Sequence, residues 1–287
     1  IRFSLLCLTN VVLGHCAMDA VRVLYVTQEI FPYVPETEIS KISRELPQSI
    51  QELGREIRIF MPKYGCINER RNQLHEVIRL SGMNLIIDDT DHQLIIKVAS
   101  IPSARMQVYF IDNDDFFHRK SLVADENGVE FADNGERSVF FARSVLETVK
   151  KLRWSPDIIH CHGWMSSVLP ILVKKVYKED PYFANSKLVY SIYDHAFHTP
   201  LNDSLLRKIK MDGIEESDLS ALKQGCDFAG LSALAIDYCD GVIQGSKTID
   251  ARVVDYANKS KKLFLPYQSP ENYVPLYDEF YNRVLGQ

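Results

Sequence analysis

Short apolar strands alternate with amphipathic helices along this chain, and this alternation constrains its fold more than any other feature. The segment VRVLYVT (21–27) is almost entirely apolar, which is typical of a strand covered on both faces. A helix beginning near Thr37 follows, because apolar residues recur at steps of three and four through Ile39, Ile42 and Leu46. Further strands are predicted at 55–62, 106–112, 156–163, 187–193 and 241–245, and further helices at 136–152, 165–177, 229–238 and 247–257. This repetition predicts an α/β fold, a single doubly wound Rossmann-like domain with a mainly parallel sheet.

Two segments depart from the alternation. Residues 75–100 hold three short apolar runs separated by Gly82 and a polar stretch, which predicts an antiparallel hairpin or meander inserted in the sheet. A terminal aromatic-rich helix is predicted at about 275–285, and we expect it to pack back on the domain. Since no repeat, low-complexity run or Gly/Ser linker divides the chain, residues 18–287 are predicted to form one domain.

The first seventeen residues, IRFSLLCLTNVVLGHCA, carry one arginine, a broken apolar stretch and then small residues. A secretory signal has a similar composition. The predicted first strand begins directly after Met18, however, and the sequence opens on isoleucine. We therefore interpret residues 1–17 as translated sequence upstream of a start at Met18, with a signal-like segment or a folded N-terminal extension as the alternatives.

The charge balance and the cysteine pattern argue against several function classes. The formal net charge is -5, so neither nucleic acid nor an anionic membrane surface is expected as the main partner. The six cysteines include no CxxC pair, which argues against a structural zinc site or a disulfide scaffold and favours a reducing, cytoplasmic location. No apolar run after residue 20 approaches the length of a membrane span, so we expect a soluble protein.

The turn before the first helix is where an α/β protein usually holds a phosphate, because free backbone N–H groups and the positive end of the helix dipole meet there. This turn carries Pro35, Glu36, Thr37 and Glu38. The two carboxylates repel an incoming diphosphate, and the proline has no N–H to donate. The glycine spacings of dinucleotide-binding and P-loop turns do not occur in the sequence. We therefore expect no cofactor.

Six blocks of the sequence resemble one protein family. In order between residue 21 and about residue 200, they are VLYVTQEIFPYV, LPQSIQELGREIRIFMPKYG, VYFIDNDDFF, DNGERSVFFARSVLE, PDIIHCHGWMSSVLP and LVYSIYDHAF. Together they look like the N-terminal catalytic domain of bacterial glycogen and starch synthases, which are GT-B glycosyltransferases with two Rossmann domains. The resemblance implies transfer of glucose from ADP-glucose or UDP-glucose to an α-1,4-glucan, with retention and without a metal. It also implies a second, nucleotide-binding domain, which we do not expect in the residues after Ser246.

The sequence departs from the family pattern at three turns. The family's Lys-Thr-Gly-Gly-Leu turn, whose lysine meets the donor phosphate, is replaced at 35–38, and the lost charge-assisted hydrogen bond is worth about 1.5–3 kcal/mol. The family's His-x-His-Asp-Trp appears as HCHGW, with Gly163 where a carboxylate is expected. Its Ile-His-Asn appears as IYDHAF, with Tyr193 at the histidine expected to contact the donor sugar. His195, two residues on, either substitutes for that histidine or is a polar rim residue.

The resemblance places the candidate substrate-binding residues after the strands at 156–163 and 187–193. They are His162, Trp164, Tyr193, Asp194 and His195. No catalytic residue is assigned. A metal site is not expected, because alternation along a strand places His160 and His162 on one side and Cys161 on the other, so that only two ligands converge.

Two functions are consistent with these residues. The first is a glycogen/starch synthase-type glucosyltransferase, weak or inactive as this chain alone, with a separate protein partner supplying the nucleotide half. The second is a catalytically silent descendant that binds α-glucan or a protein through the exposed acceptor cleft. We favour the second for this chain alone, because a departing diphosphate needs placed cations or dipoles and the turn at 35–38 presents acids.

Overall fold

A computed structural model of the protein describes residues 20–211, 213–223 and 225–287, so the predicted segment 1–17 lies outside the described residues. The strands are β1 (Arg22–Thr27), β2 (Glu56–Pro62), β3 (His75–Glu76), β4 (Met83–Ile87), β5 (Thr90–Ile101), β6 (Met106–Asp112), β7 (Ile158–His162), β8 (Lys187–Ile192), β9 (Gly241–Gln244) and β10 (Leu263–Leu265). The helices are α1 (Glu38–Glu52), α2 (Asp114–Phe117), α3 (Asn134–Lys151), α4 (Leu169–Ile171), α5 (Ser204–Ile209), α6 (Phe228–Tyr238), α7 (Ala251–Lys259) and α8 (Tyr273–Leu285). None of these described helices has both the length and the apolar character needed to cross a membrane.

The strands form a mixed, mostly parallel sheet flanked by helices. Their order is β10-β9-β8-β7-β1-β2-β6-β5-β3, with β4 paired to β5. All neighbours from β10 to β6 are parallel, whereas β3, β4 and β5 pair antiparallel. The chain runs from β1 outward through β2 to β6 and then returns to the other side of β1 with β7, so the strand order reverses between β1 and β7. The predicted doubly wound α/β sheet and its inserted meander are confirmed.

Helix α1 begins where the sequence predicts. Thr37 is the N-cap: its Oγ1 accepts a hydrogen bond from Ser40 N at 3.0 Å, and its own N–H donates to Ser40 Oγ at 2.7 Å. This reciprocal capping box satisfies backbone donors that would otherwise be free at the helix start. The apolar stripe of α1 packs against the sheet, with Ile39, Leu46 and Ile50 buried.

The segment predicted as a helix at 165–177 is helical, but it is not one regular α-helix. The structure has a 3-10 turn over 164–166, the short helix α4 and a π-helical turn over 172–176. Ser166 Oγ and Ser167 Oγ donate to the Gly163 and Trp164 carbonyls at 2.8 and 2.6 Å, which satisfies these acceptors locally. Pro170 has no N–H for the helical ladder, so regular α-helix does not extend through this segment.

The terminal helix α8 packs on the domain as expected. Tyr277, Phe280 and Tyr281 are at most 2% exposed. The contact with β9 is close, because a Cβ added at Gly241 would lie 2.8 Å from Phe280 Cζ. Helix α8 also packs beside α1, so the two helices cover the same face of the sheet.

Candidate functional site

The predicted substrate-binding residues gather where β1, β7 and β8 end. Thr27, the last residue of β1, pairs in register with His162, the last residue of β7, and His162 pairs with Ser191 in β8. These carboxyl ends lie beside the reversal of strand order between β1 and β7. Ligands of open parallel sheets bind at this position, so the topology brings the predicted residues to the expected edge.

Three of the five predicted residues lie beneath the surface of this edge. His162 is fully buried, and its Nδ1 is hydrogen-bonded to the Tyr193 hydroxyl at 2.7 Å, with the two rings stacked at 5.9 Å. Burial lowers the pKa of His162 to about 3 and raises the pKa of Tyr193 well above its usual value, so both side chains are neutral. The Nε2 atom of His162 is buried without a hydrogen-bond partner among the described residues.

Trp164 is the third buried residue, and its neighbour Gly163 explains one departure from the family pattern. The Trp164 ring packs edge-on against Phe197, with 5.0 Å between the ring centroids. Gly163 has a φ of 79°, and a Cβ there would lie 2.4 Å from Gln28 Oε1. That oxygen accepts a hydrogen bond from Met165 N at 3.3 Å. Gln28 therefore fills the space that an aspartate side chain at position 163 would need.

Asp194 and His195 form the solvent-facing part of the site. Asp194 is exposed, and its backbone N–H donates to Ser246 Oγ at 2.8 Å. The side chain of His195 is 40% exposed, with its Nε2 atom 3.3 Å from Glu29 Oε1. Of the five predicted substrate-binding residues, these two can contact a ligand without movement of the core.

Glu29 is a site residue that the sequence reasoning missed. Its carboxylate is almost fully buried and accepts hydrogen bonds from Thr37 Oγ1 at 2.6 Å and Gln28 Nε2 at 3.0 Å, besides its contact with His195. A buried carboxylate is costly unless it is fully paired, and here each oxygen has a partner. An acidic residue directly after an apolar strand is the sequence feature that could have identified it.

The turn at 35–38 is closed by its own side chains. Pro35 and Glu36 are exposed, and the Pro35 carbonyl accepts a hydrogen bond from Ser40 Oγ at 3.0 Å. Glu38 is also exposed, and its carboxylate accepts a hydrogen bond from Ser246 Oγ. The capping box of Thr37 and Ser40 occupies two of the backbone donors at the helix start, Thr37 N and Ser40 N. That this turn disfavours a diphosphate stays a prediction.

Behind the site, a side chain of helix α8 takes part in a buried hydrogen-bond network. The Tyr281 hydroxyl is hydrogen-bonded to His160 Nδ1 at 2.6 Å and to the Tyr25 hydroxyl at 3.2 Å, and His160 Nε2 is bonded to Ser191 Oγ at 2.7 Å. Burial, together with neighbouring His162, lowers the pKa of His160 well below its usual value. These contacts give both His160 nitrogens hydrogen-bond partners.

The histidine pair lies as the strand alternation predicts. The rings of His160 and His162 share one side of the sheet, with their centroids 3.9 Å apart. Among the described residues, no three histidine, cysteine, aspartate or glutamate side chains are grouped in a way that could hold a metal ion.

Comparison with known proteins identifies the family. A family model described as "Starch synthase catalytic domain" matches residues 22–262. The glycogen synthase of Chlorobium limicola is 41% identical over 174 residues, which are 60% of this chain and 36% of that protein. The glycogen synthase of Pelodictyon phaeoclathratiforme is 35% identical over 234 residues, 81% of this chain and 47% of that protein. The chain thus spans less than half the length of these curated relatives.

A solved structure agrees with the fold. The catalytic domain of starch synthase IV from Arabidopsis thaliana superposes with a TM-score of 0.71 at 18% identity, covering 87% of this chain and 52% of that chain. The family match includes every predicted site residue, whereas helix α8 lies beyond its end at residue 262. On these grounds the chain belongs to the starch synthase catalytic domain family.

Proposed function

We propose that this chain acts in α-1,4-glucan synthesis as a glycogen/starch synthase-type glucosyltransferase domain, and that it transfers little or no glucose by itself. Membership of the family supports the assignment to glucan chemistry. The Arabidopsis starch synthase IV domain is described as bound to ADP and acarbose, which supports ADP-glucose as donor, with UDP-glucose as the alternative, and a glucan as acceptor. A cytoplasmic location and a separate protein partner over the cleft are parts of the same proposal.

The observation that carries the proposal is the closed start of α1. A departing nucleoside diphosphate needs preorganised positive charge, and electrostatic stabilisation of this kind is usually the largest catalytic contribution. At this helix start, Glu36 and Glu38 are exposed acids, and the capping box of Thr37 and Ser40 uses two of the backbone donors. Slow transfer by this chain alone follows from that arrangement.

A second candidate, a catalytically silent glucan-binding domain, is favoured by a shallow cavity between α1 and the segment before α8. It has a volume of about 90 Å³, and its lining includes Glu38, Glu45, Tyr267 and Tyr273. Tyrosine rings and carboxylates are suitable contacts for the C–H faces and the hydroxyl groups of sugar rings. This cavity lies beside the closed turn, so glucan would bind next to the site without needing a donor.

The test is to incubate the full chain with labelled ADP-glucose or UDP-glucose and glycogen, and to measure incorporation of label together with co-sedimentation of the protein. We expect co-sedimentation with incorporation close to background. Pro35→Lys, which returns a cation to the turn, should raise incorporation above that of its matched control Pro35→Gln. Tyr267→Ala should weaken co-sedimentation, whereas Tyr256→Ala, at a partly exposed tyrosine of α7, should not.

The two candidates predict different results. Efficient transfer by the unmodified chain would refute the argument from the closed turn and leave glucosyl transfer as the function. Failure to co-sediment with glycogen would refute glucan binding. Co-sedimentation without transfer, in the unmodified chain and in Pro35→Lys alike, would support the silent domain.

A further inference from the structure

A basic cavity lies at the opposite edge of the sheet from the site. Its volume is about 520 Å³. The lining residues are Arg58, Arg79, Leu80, Tyr109, Lys151, Leu152 and Arg153. Arg58 comes from the first half of β2, and Lys151 ends α3 before β7 begins, whereas the site follows the carboxyl ends of the strands. Among the described residues, no aspartate or glutamate lines this cavity.

The four cations are not neutralised by their surroundings. No ion pair within 4.0 Å joins any of them to a carboxylate among residues 20–211, 213–223 and 225–287. The nearby acid Glu56 is engaged elsewhere: its Oε1 accepts from Trp154 Nε1 at 2.6 Å and its Oε2 from Arg22 Nε at 3.2 Å. Like charges that share one cavity repel one another, and an anion would relieve that repulsion.

Two of the cations are held in place before any ligand arrives. The Arg58 guanidinium lies over the Trp154 ring, 4.9 Å from its centroid. Lys151 Nζ donates to the Leu80 carbonyl at 3.3 Å. Side chains already held in position lose less conformational entropy on binding, which favours affinity.

We propose that this cavity binds a small phosphorylated organic molecule. Arginine forks and a lysine ammonium are the groups that bind phosphate oxygens in proteins. Tyr109, Leu80 and Leu152 add an apolar wall that can contact the organic part. The volume falls within the range of small-molecule sites, roughly 300–1,000 Å³.

The charge of the whole molecule favours a small ligand over a long polyanion. The chain carries a formal net charge of -5, so the basic cavity is a local exception on an acidic protein. A nucleic acid strand would extend beyond the cavity into a field that repels it, whereas a single phosphate group stays within reach of the four cations. This proposal goes beyond α-glucan synthesis and uses none of the site residues at the carboxyl edge.

Calorimetric titration of the full chain with phenyl phosphate tests the proposal, with inorganic phosphate and a single-stranded oligonucleotide as comparison ligands. Arg79→Gln and Arg153→Gln remove one charge each at exposed positions, so the fold is retained; their thermal unfolding without ligand checks this. Arg70→Gln is the matched control, since Arg70 is an exposed arginine that does not line the cavity. Each cavity variant should weaken binding of phenyl phosphate by about tenfold, and the control should not change it.

Phenyl phosphate should bind more tightly than inorganic phosphate, and its affinity should fall as salt is raised. The absence of binding at low salt would overturn the proposal. It would also be overturned if Arg70→Gln weakened binding as much as the cavity variants, if both phosphates bound equally, or if the oligonucleotide bound more tightly. None of these outcomes bears on the glycogen assay, so the two proposals fail independently.

Discussion

Replacing Tyr281 with phenylalanine tests whether α8 is an integral part of the domain. The substitution keeps the aromatic ring and removes only the hydroxyl that links His160 Nδ1, at 2.6 Å, with the Tyr25 hydroxyl, at 3.2 Å. All three side chains are at most 1% exposed, so water does not replace the lost group. The change therefore isolates the polar contribution of the helix from its packing.

The expected cost follows from the groups left without partners. A buried polar group that loses its hydrogen bond costs about 1–3 kcal/mol, and here both His160 Nδ1 and the Tyr25 hydroxyl lose one. The gain in apolar character at position 281 offsets part of this. We expect the free energy of unfolding to fall by about 2–4 kcal/mol, a large part of the 5–15 kcal/mol typical of a folded domain.

Urea unfolding followed by tryptophan fluorescence and circular dichroism measures this difference. The matched control is Tyr256→Phe, because Tyr256 is 37% exposed and its hydroxyl donates to Asp237 Oδ1 at 2.7 Å. Water can take over that exposed bond, so the control should lose less than about 0.5 kcal/mol. Equal unfolding midpoints for the two variants would refute the reasoning. They would show that the Tyr281 hydroxyl does not take part in the buried hydrogen bonds with His160 and Tyr25.

Two further predictions concern the same face of the sheet. Burial lowers the pKa values of His160 and His162 in the folded protein, so the unfolded chain binds more protons as the pH falls. The contribution of these two histidines to the free energy of unfolding is therefore fully present above the unfolded pKa of about 6.5, and it falls as the pH drops toward 3. At His162 the loss by pH 5 should reach about 2 kcal/mol. Urea titrations at pH 7.5, 6 and 5 should show it, and a flat profile, or one that His162→Gln leaves unchanged, would contradict it. Gly245→Ala would place a Cβ 2.4 Å from Tyr193 Cε1, so the ring must shift and stability should fall by about 1–3 kcal/mol; an unchanged thermal midpoint would show that the ring yields freely.

Sequence reasoning predicted the elements that depend on local patterns. The apolar stripe places the start of α1 near Thr37, and short apolar runs separated by Gly82 and a polar stretch place the meander at 75–100. The segment after Trp164 is helical but is not the single regular helix predicted, because its serines hydrogen-bond nearby carbonyls and Pro170 has no N–H for the helical ladder. Such competition depends on side-chain geometry that periodicity does not describe.

The candidate site was predictable in position but not in accessibility. Strand ends and the resemblance located His162, Tyr193 and His195 at the carboxyl edge, where the structure places them. The sequence did not show that His162 and Tyr193 satisfy each other in the core, or that Glu29 holds His195. These pairings join segments far apart in the chain, so only the assembled sheet determines which side chains meet. Their roles in substrate binding stay a prediction.

The bond between Tyr25 and Tyr281 joins positions 256 residues apart, and this separation has a consequence for biosynthesis. On the ribosome, β1 emerges long before the helix whose hydroxyl completes its polar contacts. Until position 281 has left the exit tunnel, the nascent sheet exposes its histidine-bearing face to other chains and to chaperones. The native contacts of this face are therefore complete only after position 281 has left the tunnel and α8 packs on the sheet.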